Sequence, residues 1–136
     1  MLVVDTSAVV GALVGRPPVG AVLDRLAADG DLSAPHLLDV EFLHALRRLV
    51  RTGELGEDRA ADARGDFAAL AIARYEHTVV ADRVWELRHG LTAYDATFVA
   101  LAELLEVPLV TCDARLARAP GHHATVELFP VPRPSR

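Results

Sequence analysis

Lysine is absent, cysteine occurs once, and aromatic side chains make up only 5% of the 136 residues. The single Cys112 excludes an internal disulfide, and the six histidines are scattered without zinc-type spacing. No uncharged run exceeds the ten residues from Thr6 to Gly15, about half of what a bilayer span needs. No lysine or arginine precedes Arg16, so the cationic start of a secretory signal is missing. Two tyrosines, one tryptophan and four phenylalanines are too few for a platform on which unpaired bases stack. These shortages leave a soluble cytoplasmic domain, without a membrane segment, as the expectation.

What is present fits that expectation. A 51% hydrophobic share beside 24% charge excludes general disorder, and the length suits one domain with a real core. The expected limits are a single domain over 1–129 and an extended tail over 130–136 carrying Pro130, Pro132 and Pro134. Net charge is −5, and all fourteen cations are arginine. Guanidinium forks grip phosphate at two points, although a compositional bias toward arginine codons produces the same count.

Short Val, Ile and Leu runs alternate with longer segments of helical period, which predicts βα units and a mostly parallel sheet of four to five strands. Leu2–Val4 is the first strand, ended by Asp5-Thr6-Ser7, where a hydroxyl can cap a helix carrying Val9, Val10 and Leu13. Further helices are expected over Val19–Ala28, His36–Thr52, Glu57–Leu70, Val79–Arg88, Tyr94–Glu106 and Asp113–Ala119. Pro35 suits a first helical position. Leu32–Ala34, Ala71–Ala73, Val107–Thr111 and an edge segment at Thr125–Phe129 are the other strand candidates.

Four acids stand out by position. Asp5 and Asp113 each follow an aliphatic strand, and open parallel sheets bind ligands at their carboxyl edge. Adjacent parallel strands lie about 4.8 Å apart, close enough for both carboxylates to reach one cation. Glu41 borders the helical stripe of Leu38, Phe42, Ala45, Leu46 and Leu49, with Arg48 two turns on along the same side. Asp95 lies three residues after Thr92, a helix-capping spacing, and borders the stripe of Phe98, Leu101, Ala102 and Leu105. Each has an ordinary structural explanation when taken singly. If the four form one metal site they account for most of the negative charge, so the net −5 does not exclude a metal-dependent nuclease.

In this order, the set resembles the PIN-domain family, and within it the VapC-type ribonuclease toxins of bacterial toxin–antitoxin pairs. The matching stretches are Leu-Val-Val-Asp-Thr-Ser from Leu2, Pro35 with Glu41 six residues on, Leu-Thr-Ala-Tyr-Asp-Ala-Thr-Phe-Val-Ala-Leu-Ala-Glu from Leu91, and Pro-Leu-Val-Thr-Cys-Asp-Ala-Arg-Leu-Ala from Pro108. The resemblance implies a PIN-like three-layer α/β/α sandwich. It also implies that Asp5, Glu41, Asp95 and Asp113 hold Mg²⁺ or Mn²⁺, that Ser7 ligates through water or steadies Asp5, and that Thr111 orients Asp113. No further acid closely follows Asp113, where some relatives carry one, which leaves the second-metal geometry open.

The implied reaction is in-line attack of water on an RNA phosphodiester, leaving a 5′-phosphate and a 3′-hydroxyl without use of the 2′-hydroxyl. Arg16, Arg47, Arg48 and Arg51 are candidate phosphate contacts for a structured RNA such as a tRNA, or for an mRNA. Implied partners are a VapB-type antitoxin, a second copy in a homodimer, and the toxin–antitoxin hetero-oligomer. Two alternatives remain at this point: an inert PIN-like module that binds RNA or protein, and an Asp5-nucleophile phosphatase. The latter class wants a second aspartate where this chain has Ser7. Cys112 is read as a packing residue, and Asp39 lies off the face of Glu41.

Overall fold

The computed structural model describes residues 1–15 and 19–130. Five strands form one parallel sheet: β1 (Leu2–Val4), β2 (Leu32–Pro35), β3 (Ile72–Tyr75), β4 (Leu109–Thr111) and β5 (Val126–Leu128), in the order β3-β2-β1-β4-β5. The chain winds outward from β1 to β2 and β3, then crosses back to place β4 on the other side of β1. Right-handed crossovers therefore put the helices of the two halves on opposite faces of the sheet. The expected three-layer sandwich is present, and every strand pair is parallel.

The first half supplies α1 (Thr6–Val14), α2 (Val19–Asp29), α3 (Leu37–Arg51) and α4 (Glu57–Ala69). A 3₁₀ turn at His77–Val80, α5 (Ala81–Glu86) and α6 (Ala93–Leu105) link β3 to β4, and α7 (Ala114–Ala117) links β4 to β5. The buried faces of β1 and α6 explain why these two form the centre. Leu2, Val3 and Val4 are fully covered, and Ala96 to Ala102 is a continuous buried run. A helix packed on a sheet and flanked by a neighbouring helix reads as apolar nearly all round. On the other face, Phe42 of α3 stacks on Phe67 of α4 with ring centroids 4.2 Å apart.

Several boundaries differ from the sequence reading. Pro35 ends β2 instead of opening a helix, and α3 begins two residues later after His36. The segment read as one helix over Val79–Arg88 divides into the 3₁₀ turn and the short α5. At α1 the cap is not a hydroxyl but the Asp5 carboxylate, which accepts from the Ala8 N–H. Gly53, at φ 77°, sits in the left-handed conformation just past α3, where a residue with a Cβ is strained. Apart from Pro130, the expected proline-rich tail lies outside the described residues, as does Arg16.

Candidate active site

β1 and β4 are neighbours at the point where the winding direction reverses, so their carboxyl ends flank the crevice in which open α/β sheets bind ligands. A cavity of about 970 Å³ opens there. Asp5, Glu41, Asp95 and Asp113 all line it, together with Thr6, Ser7, His44, Arg48 and Tyr94. Four acids from four distant segments thus face one space. Arg47 and Arg51 are exposed on α3 and do not line it, in contrast to Arg48.

Asp5 is the most constrained of the four, at 5% exposure. Its Oδ1 accepts from the Ala8 N–H at 2.9 Å and its Oδ2 from the Thr111 hydroxyl at 2.6 Å. The Ser7 hydroxyl reaches both oxygens, at 2.8 and 3.0 Å. Both hydroxyls are themselves held by the chain leaving β4. The Cys112 N–H donates to Ser7 Oγ at 2.9 Å, and the Asp113 N–H donates to Thr111 Oγ1 at 3.0 Å. Two relays of one hydroxyl each therefore tie the end of β4 to the Asp5 carboxylate. The Thr111 hydroxyl is aimed at the carboxylate of Asp5, whereas its contact with Asp113 is through the backbone.

Burial pushes the Asp5 pKa up to about 6 against the lowering effect of the bonds from Thr111, Ala8 and Ser7, and the charge of Asp113 adds to the rise. The remaining three acids are held more lightly. Glu41 accepts from the Thr6 hydroxyl at 2.5 Å. Asp113 caps α7, accepting from the Arg115 N–H at 2.9 Å. Asp95 lies in the first turn of α6, where its N–H donates to the Thr92 hydroxyl at 3.2 Å. Burial raises the Asp95 pKa, Arg115 opposes this, and Asp113 adds to it.

The guanidinium of Arg115 stands between the last two acids, 3.2 Å from Asp95 Oδ2 and 3.4 Å from Asp113 Oδ2. The sequence reading gave Arg115 no part, although it lies two residues after an aspartate that opens a helix. It also passed over Thr6 and over His44, which shares the Glu41 side of α3 at a spacing of three. Asp39 is outside the site, joined to Arg74 by two bonds of 2.8 and 2.9 Å. Cys112 lines the cavity with its thiol pushed up to about 11, first by burial and then by Asp5.

As their side chains stand, the four acids ring the cavity without closing on a point. Among the described residues, no three Asp, Glu, His or Cys side chains are clustered tightly enough to hold an ion. Mutual repulsion and the individual partners Thr6, Thr111 and Arg115 account for this spread. The donor set nonetheless suits one class of ion. The four carboxylates and the hydroxyls beside them are oxygen ligands of hard divalent cations such as Mg²⁺ or Mn²⁺, and the one thiol on the cavity wall, Cys112, is pushed toward its protonated form.

The arrangement does not suit a phosphatase with Asp5 as nucleophile. Both Asp5 oxygens are engaged by three donors, the group is buried, and Ser7 stands where that class carries a second aspartate.

The PIN-domain family model matches residues 2–122. Ribonuclease VapC1 of Mycobacterium tuberculosis is 46% identical over 127 residues, covering 93% of this chain and 96% of that one. Two solved structures share the fold. The VapBC2 structure from Rickettsia felis, bound to a DNA fragment from its promoter, aligns with a TM-score of 0.70 at 12% identity, covering 93% of this chain and 97% of the other. VapC20 of M. tuberculosis, described as a toxin cleaving the sarcin–ricin loop, aligns at 0.60 and 20% identity, covering 86% and 93%. A match across nearly the whole chain, with the four acids of the resemblance round one cavity, means that this protein belongs to the PIN-domain family and, within it, to the VapC ribonucleases.

Proposed function

We propose that the chain is a divalent-cation-dependent endoribonuclease, the toxin of a toxin–antitoxin pair. One observation carries the reading: Asp5, Glu41, Asp95 and Asp113 line a single cavity at the reversal point of the sheet. A bound Mg²⁺ or Mn²⁺ supplies a water of lowered pKa and offsets charge developing on the attacked phosphate. The four carboxylates hold the ion. Thr6 steadies Glu41, while Ser7 and Thr111 fix the plane of Asp5, so less conformational freedom is lost when the ion enters.

Arg48 and His44, on the α3 wall, face the same space and contribute phosphate contacts. Arg47 and Arg51 extend that basic edge from exposed positions on α3. The substrate is RNA, a structured one such as a tRNA or an mRNA segment, cut to 5′-phosphate and 3′-hydroxyl ends. The partner proposed is a VapB-type antitoxin, supported by the naming of the relatives and by the fold shared with a VapBC pair. A homodimer, a toxin–antitoxin hetero-oligomer and a cytoplasmic location complete the reading. Among the described residues, no helix is long and apolar enough to cross a membrane.

The test is incubation of purified protein with unfractionated tRNA and total mRNA. Cleavage that disappears in EDTA, returns with Mn²⁺ and is missing in Asp5→Asn supports the reading. RNA left intact under every metal contradicts it and favours the inert binding module.

A further inference from the structure

Asp95 lines a second cavity as well, of about 350 Å³, bounded by Arg88 and His89 before α6 and by Arg115 of α7. Its size lies at the small end of ligand clefts, which run from about 300 to 1,000 Å³. The two spaces differ in charge. The main cavity presents four carboxylates and one guanidinium, whereas the second presents two guanidinium groups and one carboxylate.

The two arginines are held differently. Arg88 is oriented from the turn that follows α5: Nη1 donates to the Trp85 carbonyl at 2.8 Å, and the guanidinium stacks 4.4 Å from the centre of the Trp85 ring. Stacking over an indole face leaves the other edges of the fork for a ligand. Arg115 is 72% exposed, and its contacts to Asp95 and Asp113 are long. Exposed pairs of that kind contribute little to stability, so the side chain turns away readily. A cation held by the two acids would offset the negative charge that keeps it there.

Resting on the ribonuclease reading, we infer that this second cavity is a phosphate subsite in which Arg88 and Arg115 hold the RNA backbone phosphate next to the one hydrolysed. The strand then lies across Asp95, with the reacting phosphate over the acids and its neighbour between the two forks. Both arginines act in binding and do not touch the reacting atoms.

The test is fluorescence anisotropy with labelled unfractionated tRNA across a salt series, with Ca²⁺ in place of Mg²⁺, alongside cleavage kinetics in Mg²⁺. Variants are Arg88→Gln, Arg115→Gln, the double variant, Arg88→Lys and, as a distant control, the exposed Arg64→Gln of α4. Thermal melts establish that each is folded. Each Gln variant is expected to bind several-fold more weakly and to reduce the slope of log affinity against log salt by about 0.7 to 0.9. KM rises while kcat stays near wild type; Arg88→Lys keeps the slope, and Arg64→Gln matches wild type. A double variant with wild-type affinity and slope, in a protein that does cut RNA, overturns the subsite alone. A wild-type protein that neither binds nor cuts RNA overturns the ribonuclease reading and the subsite with it.

Discussion

The Thr111 hydroxyl at the end of β4 donates a 2.6 Å hydrogen bond to the carboxylate of Asp5 at the end of β1, 106 positions earlier in the chain. That bond joins the two central strands at the rim where the acids gather. The same hydroxyl accepts from the Asp113 N–H, so one side chain sets the position of two of the four proposed ligands.

Thr111→Val keeps the shape of the side chain but removes both bonds inside a fully buried site. Losing one of the two hydroxyl bonds to Asp5 Oδ2 and leaving the half-buried Asp113 N–H without its partner costs about 1–3 kcal/mol. Denaturant unfolding should show that loss, and calorimetry should show weaker Mn²⁺ uptake by the folded variant. Ser7→Ala, which removes the parallel relay from Cys112, is expected to act in the same direction.

Asp5 makes stability depend on pH. Its folded pKa of about 6 lies above the ordinary 3.8, so between those values the folded chain binds the extra proton. Raising the pH through that window therefore lowers stability, by up to about 3 kcal/mol, and the loss persists at neutral pH. In metal-free buffer, Asp5→Asn should flatten the dependence between pH 4 and 6 and unfold at higher denaturant at pH 7. Asp95, shifted in the same direction, leaves some slope behind. An unchanged pH profile in Asp5→Asn would show that Asp5 is not the group responsible.

Cys112 offers a probe of the same environment. With its thiol pushed from 9.0 up to about 11, its thiolate fraction at pH 8 is about a hundredfold below that of an unshifted thiol. A thiolate of higher pKa is the stronger nucleophile, which offsets part of this. Iodoacetamide should therefore label it at least about tenfold more slowly than an exposed thiol, and faster in Asp5→Asn, where the neighbouring charge is gone. Labelling at the rate of an exposed thiol would contradict the placement.

Much of this arrangement is legible in the sequence because backbone physics forces it. A strand of fully buried Leu2-Val3-Val4 ending in an acid places that acid on the rim whatever the rest of the fold does. Helical period likewise puts Glu41 and Asp95 beside their apolar stripes. What sequence does not carry is the pairing of polar tips across the fold. Thr6 with Glu41 and Arg115 with Asp95 depend on which strands are neighbours and on side-chain rotation. The start of α3 differs from the sequence reading for a local reason: Pro35 is equally at home at a strand end and in a first helical turn. Here it pairs with Tyr75 at the end of the β2–β3 ladder, which the His36 N–H closes by donating to the Tyr75 carbonyl at 3.0 Å. The division of the 77–86 segment into a 3₁₀ turn and a short helix carries no period long enough to read.

Titration of metal-free protein with Mn²⁺, followed by calorimetry, tests most directly whether the four carboxylates form one cation site. Saturable uptake by the wild type, lost or weakened at least tenfold in each of Asp5→Asn, Glu41→Gln, Asp95→Asn and Asp113→Asn while all remain folded, is the result expected. No uptake at millimolar Mn²⁺, or uptake untouched by these substitutions, would contradict it.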